Sequence, residues 1–280
     1  MTNHTLKAAL IYDFDGTLSP GNMQEYGFIP AVGKSNEEFW HESNELSKQN
    51  DADPILSYMF KMLQEANDSK LPIKESDFRR TGQNIKLYKG VDTWFGRINR
   101  YGASRGVEIL HYINSSGIKE IIEGTPIAKE FRKIFACSFL YNQHGDAYWP
   151  AVAINYTNKT QFLYKINKGV ESVSDSHMVN AYLPDAERPV PFERMIYFGD
   201  GTTDIPCMRL VQDRRGHSIG VYDPESEQGY QKTRMLLGQG RCSMIAPADY
   251  SEGGRMETLV KTIIDKIYTD NRIDELSAEV

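Results

Sequence analysis

The chain has 280 residues, a net charge of −6, 40% hydrophobic residues and three cysteines. That length suits one large domain or a core with an insertion, and the acidic balance gives no reason to expect a nucleic acid or another polyanion as partner. No apolar run nears the length of a membrane span or the core of a signal peptide, and the widely spaced Cys137, Cys207 and Cys242 lack metal-type spacing, so reduced thiols and a cytoplasmic protein are expected.

The apolar run from Ala8 to Tyr12 predicts a buried strand that delivers Asp13-Phe14-Asp15-Gly16-Thr17-Leu18 at its carboxyl end, where open α/β sheets bind ligands. In a regular strand Asp13 and Asp15 share one side, so two anions crowd together unless a cation joins them. A solvated acidic turn is the plainer alternative. Residues 20–90 differ, being rich in charged and amide residues with helical periodicity. Ser35-x-x-Glu38 is a capping box, and Asp53-Pro54 caps a helix whose Tyr58, Met59, Met62 and Ala66 form one apolar face, read as core. Ser76 is expected to cap a third helix carrying Phe78 and Ile85.

A helix from Val91 to about Gly102 precedes a second strand, Val107–Asn114, after which Ser115-Ser116-Gly117 and a helix start at Ile118 form a possible anion site, or Ser115 merely caps that helix. Thr125-Pro126 begins a short helix, and 134–141 with 147–156 make a hairpin turning at Gly145. Thr157 or Asn158 caps the next helix, with Lys159 in its first turn, where a cation opposes the helix dipole. Alone, Lys159 would read as a solvated lysine. After a polar loop over 171–191, the short strand 195–198 delivers Gly199-Asp200-Gly201-Thr202-Thr203-Asp204. Helices over 205–211 and 227–237, strands over 218–222 and 243–246, and a last helix with a frayed acidic tail from Asp270 complete the chain. Strands alternating with helices predict a three-layer, mainly parallel α/β fold.

Four segments in this order, the Asp13-Phe14-Asp15-Gly16-Thr17 run, Ser115, Lys159 and Gly199-Asp200-Gly201 with Asp204, resemble the motifs of the haloacid dehalogenase-like (HAD) hydrolase superfamily. The resemblance covers residues 13–204 and is nearest the phosphoserine phosphatase-like branch. It implies a Rossmann-like core over 1–20 and 91–280 and a helical C1 cap over 21–90. It also implies a Mg²⁺-dependent phosphatase that hydrolyses a small phosphomonoester, possibly phosphoserine-like, through an aspartyl phosphate. Asp13 would be the nucleophile, Asp15 the general acid and base, and Lys159, Ser115 and Ser116 the phosphate contacts. The metal would rest on Asp13, the main-chain carbonyl of Asp15 and Asp200, with Asp204 behind them. The electrostatics agree, since two charges about 4 Å apart repel by roughly 4 kcal/mol even at an effective dielectric of about 20. Oxygen donors alone favour Mg²⁺, and the scattered His4, His41, His111, His144, His177 and His217 offer no zinc site.

Asp15 argues against dehalogenase chemistry, which needs no leaving-group acid. Transfer to a second substrate, as in phosphomutases, stays open, as does a phosphate-binding scaffold without turnover. Glu25, Arg79 and Arg80 are candidates for reading an amino acid's charges, with a solvated surface equally open for the arginines. The partner is thus a small phosphorylated metabolite, and the oligomeric state is open.

Overall fold

A computed structural model of the protein describes residues 5–71 and 73–278. The elements follow in chain order: β1 (Leu6–Tyr12), α1 (Phe28–Ala31), α2 (Asn36–Asn50), α3 (Pro54–Asp68), α4 (Glu75–Gly82), α5 (Val91–Ser104), β2 (Val107–Ile118) and α6 (Lys119–Gly124). Then come β3 (Lys133–Tyr141), β4 (Ala147–Val152), α7 (Lys159–Asn167), α8 (His177–Asn180), β5 (Met195–Gly199), α9 (Ile205–Asp213), β6 (His217–Tyr222), α10 (Glu227–Gly238), β7 (Met244–Pro247) and α11 (Arg255–Ala278).

The strands form one sheet in the order β4-β3-β2-β1-β5-β6-β7, parallel throughout except for the β3–β4 hairpin at one edge. β1 is flanked on both sides, so it is apolar on both faces, and Ala8 through Tyr12 are fully buried. Helices α5 and α11 pack together, α5 against β2 and α11 against β1 and β7, joined by a Tyr101 hydroxyl that donates to Asp265 at 2.9 Å. Helices α7 and α9 pack together against β2 and β5, which completes an α/β fold of three layers. On the α5 side the Tyr12 ring stacks on Phe198 with centroids 4.5 Å apart, and its hydroxyl accepts from Trp94 Nε1 at 2.9 Å. His111 Nδ1 lies 3.1 Å from that hydroxyl, and burial holds the imidazole neutral, with its pKa lowered to about 3.

Between β1 and α5 the chain makes a 3-10 turn (Met23–Tyr26) and α1–α4. The Ser35–Glu38 capping box and the Asp53 cap both form, and Tyr58, Met59 and Met62 are buried as the spacing predicts. Lys34 and Lys61 each reach Glu42 and Glu65, a ring of four charges between α2 and α3 with contacts of 2.6 to 3.2 Å. The helices rest on the sheet's carboxyl end: Tyr58 donates to the Ser116 carbonyl at 2.6 Å, and Asn155 Nδ2 donates to Asp53 at 2.6 Å.

Several expectations change. Lys74, not Ser76, stands at the N-cap of α4, and the helix stops at Gly82, with Ile85 buried beyond it. Gly82 lies against α6, where a Cβ would come 2.1 Å from the Ile121 carbonyl oxygen. β2 runs past Asn114 to Ile118 with a register shift, so Ser115 sits inside an irregular strand end. A 3-10 turn over Ala128–Glu130 replaces the helix expected from Thr125. The stretch after Asp270 is not frayed but stays helical to Ala278, helped by a Lys266–Asp270 pair at i,i+4.

Candidate active site

Parallel pairing of β2, β1 and β5 brings three chain segments to one rim, because Tyr12 is level with Ile113 on one side and Phe198 on the other. The next residues are therefore Asp13, then Asn114 and Ser115, then Gly199 and Asp200. The Asp13 amide donates to the Phe198 carbonyl at 2.9 Å, which carries the pairing one residue beyond the strand. Gly16 then turns the chain at φ +72°, and a Cβ there would come within 2.5 Å of the Asp200 carboxyl.

Lys159, the first residue of α7, is fully buried, with its Nζ 3.1 Å from Asp13 and 2.7 Å from Asp204. A lysine that works against the helix dipole is held by two carboxylates instead. Burial alone would lower its pKa, but Asp13 and Asp204 outweigh that and raise it, so it stays an ammonium. Asn114 Nδ2 donates to the Lys159 carbonyl at 3.1 Å and ties the start of α7 to β2. Asn158 precedes the helix, yet its side chain accepts from the Asn155 amide at 2.8 Å instead of capping α7.

Asp204 is fully buried and its Oδ1 is shared by Lys159 and the Tyr197 hydroxyl, both at 2.7 Å. Gly199 makes room for it, since a Cβ there would sit 2.4 Å from the Asp204 carboxyl carbon. Carboxylate oxygens of Asp13, Asp200 and Asp204 lie within 4.8 Å of one another. The cost of this crowding appears in their ionisation. Burial, then Asp204, raise Asp13 to about 7 against the pull of Lys159, and burial with Asp204 raises Asp200 to about 6. Asp15 is raised by burial and by Asp13, and its Oδ1 accepts from the Met23 amide at 3.0 Å, facing the helical segment. Three carboxylates with one ammonium between them leave oxygen donors short of positive charge, and that donor set fits a hard divalent cation.

A cleft of about 540 Å³ opens from this rim, lined by Asp13, Asp15, Ser115, Ser116 and Asp200 from the core and by Gln24, Trp40 and Tyr58 from the helical segment. Ser115 Oγ accepts from the Gly117 amide at 3.0 Å, which leaves its own proton free to donate, and Ser116 Oγ is buried with no hydrogen-bond partner among the described residues. Glu25 accepts from Asn22 Nδ2 at 2.7 Å and Trp40 Nε1 at 2.9 Å; both donors line the cleft, whereas Glu25 itself does not. Arg79 pairs with Glu75 and Glu123 and Arg80 with Asp77, and neither lines the cleft, so the expectation that they read substrate charges is corrected to a surface role. The helix periods explain this, since both arginines find carboxylates on α4 itself.

Sequence reading missed Tyr197, which carries no signal beyond being aromatic in a buried strand. It also missed Tyr88, Tyr222, Asp223 and Lys232, which line the far side of the cleft.

A mainly parallel sheet with an aspartate pair after its central strand, a buried lysine and a second acidic loop on the neighbouring strand defines the chain as a phosphatase of the HAD superfamily, a phosphoric monoester hydrolase. The family model described as Putative Phosphatase matches residues 8–215, and the chain belongs to that family. An uncharacterized protein of Borreliella burgdorferi is 27% identical over 286 residues, covering 92% of this chain and 96% of that one. A phosphoethanolamine/phosphocholine phosphatase of Gallus gallus is 24% identical over 229 residues, 79% of either chain. Among solved structures, a HAD family hydrolase from Salmonella enterica serovar Typhi superposes with a TM-score of 0.58 at 14% identity, covering 91% of this chain and 71% of its own. A phosphoserine phosphatase captured as a phospho-aspartyl intermediate analogue does so with a TM-score of 0.55 at 13% identity, covering 92% and 99%. Among the described residues no helix is long and apolar enough to cross a membrane.

Proposed function

We propose that the protein hydrolyses a small phosphomonoester with Mg²⁺ as cofactor and Asp13 as the covalent carrier of phosphate. The observation that carries this reading is Asp13 itself, a buried carboxylate at the floor of the cleft, paired to Lys159 at 3.1 Å and crowded by Asp200 and Asp204. An Asp13 carboxylate oxygen attacks phosphorus, and the ester P–O bond breaks. Asp15, kept protonated by burial and by Asp13, gives its proton to the departing oxygen, so a neutral alcohol leaves. Asp15, now a carboxylate, takes a proton from water as that water attacks the phosphoaspartate. The Asp13–phosphorus bond breaks and inorganic phosphate is freed with Asp13 restored.

Lys159 stays charged throughout and offsets the charge of an anion approaching a dianion. Ser115 donates its free proton to a phosphate oxygen, and Ser116 Oγ is placed to do the same. Asp13, Asp200 and the main-chain carbonyl of Asp15 are the groups that would hold Mg²⁺, which when bound would neutralise phosphate charge as a Lewis acid. Asp204 holds Lys159 and is itself held by Tyr197.

Residues 21–90 serve as the cap that closes the cleft, and 1–20 with 91–280 as the core. Three buried free thiols fit a reducing compartment, the cytoplasm. A phosphoserine-like ester is the proposed substrate, with Glu25, held by the cleft-lining Asn22 and Trp40 although not itself in the lining, as the carboxylate that would meet its cationic nitrogen. The test is release of inorganic phosphate from p-nitrophenyl phosphate with Mg²⁺, compared with phosphate transferred to an added alcohol. Phosphate appearing only in the transfer product would replace hydrolysis by a phosphotransferase, and turnover by Asp13→Asn at the wild-type rate would remove the nucleophile.

A further inference from the structure

Lys232 is the one lysine or arginine among the described residues lining the cleft, against four aspartates, Asp13, Asp15, Asp200 and Asp223. It projects, exposed, from the second turn of α10, and Ser226, Gly229 and Thr233 of the same segment also line the cleft. No carboxylate lies within ion-pair distance of Lys232 among the described residues, although every lysine between α2 and α3 is paired. Asp223, which lines the same cleft, accepts from the Glu225 amide at 2.8 Å and from the Tyr88 hydroxyl at 3.3 Å.

Lys232 is exposed and makes no ion pair among the described residues, so its ammonium is free to meet an anion entering this acidic cleft, while the phosphate's own needs are met at Lys159, Ser115 and the metal donors. Resting on the phosphatase reading, we infer that Lys232 binds a second anionic group on the substrate's leaving side, so that the enzyme favours phosphomonoesters whose alcohol carries a carboxylate or a further phosphate. Tyr88 and Tyr222 flank the space between, apolar walls that fit a short carbon chain. Arg79 and Arg80 lie outside the cleft, so Lys232 takes the anion-reading part on this wall.

The test compares esters that differ only in that group: 3-phosphoglycerate with glycerol 3-phosphate, and phosphoserine with phosphoethanolamine, with p-nitrophenyl phosphate as reference. Wild-type kcat/KM is expected to be higher for the carboxylate member of each pair. Lys232→Met, which keeps the chain length, is expected to lower that value by about tenfold through KM and to leave the other member within about twofold, as loss of one charge-assisted hydrogen bond does. Lys232→Arg should restore most of the preference. A wild-type preference for the carboxylate-free esters, or an equal fall for both members in Lys232→Met, overturns the inference. If p-nitrophenyl phosphate is hydrolysed and neither pair is, the inference also falls while the phosphatase reading stands. If nothing is hydrolysed with Mg²⁺, the phosphatase reading falls first.

Discussion

Two charge clusters in this molecule, one partly exposed and one buried, are both built from lysines and carboxylates and do opposite things. The ring between α2 and α3 sets two lysines against two glutamates, and its contacts satisfy both signs: Glu42 is lowered by its bonds to Lys34 and Lys61, and Lys34 is raised by Glu42. The rim around Asp13 sets Asp13, Asp200 and Asp204 against Lys159 alone, and burial with mutual repulsion pushes Asp13 and Asp200 up to about 7 and about 6. A balanced ring needs nothing more and holds helices together. An unbalanced one is complete only when a cation and a substrate arrive, and the imbalance marks where chemistry occurs.

The comparison can be broken most sharply at Asp13. Asp13→Asn is expected to lower kcat for p-nitrophenyl phosphate by at least about a thousandfold, while the metal-free melting temperature holds or rises because one repelling charge is gone. A drop in melting temperature would mean that the rim is a structural network like the ring. Lys159→Met should act on both properties. It leaves Asp204 and Asp13 buried without their cation, at a cost of about 3–5 kcal/mol in urea unfolding, and lowers turnover by at least about a hundredfold.

Metal removal sharpens the contrast through pH. Asp13 and Asp200 have folded pKa values above the unfolded carboxylate value of 3.8, so the unfolded chain loses these protons first as pH rises. Metal-free stability should therefore be fully present at low pH and fall as pH climbs from about 4 to about 7, and Mg²⁺ should reverse the fall. Differential scanning fluorimetry with EDTA or Mg²⁺ is expected to show a larger Mg²⁺-induced rise at about pH 7.5 than at about pH 5. Equal rises at both would place the metal elsewhere. The smallest effect belongs to the ring: Glu65→Gln should cost about 1 kcal/mol and leave kcat/KM within about twofold. A loss of activity larger than that would show that the ring, too, sets the geometry of the cleft.

Much of this was legible because it is local. The burial of Ala8–Tyr12, the Ser35–Glu38 and Asp53 caps, and the turn at Gly145 each depend on residues a few positions apart, and the structure has them where periodicity and turn chemistry put them. Where local signals competed with packing, packing won. Lys74, not Ser76, stands at the N-cap of α4, a helix seated on α6 with Gly82 against the Ile121 carbonyl.

By itself the sequence determined the order of strands and helices and the kinds of side chain that each strand end would carry, because hydrophobic period and turn residues act over short range. Which strands lie side by side was decided only in three dimensions, and it is the β2-β1-β5 adjacency that sets Asp13 beside Asp200 and brings Lys159 into the same pocket. The sequence showed nothing of Tyr197 beneath Asp204, of arginines spent on α4 itself, or of Lys232 left facing the cleft. A charge's worth depends on what surrounds it at a few ångströms, and distance along the chain carries almost no information about that.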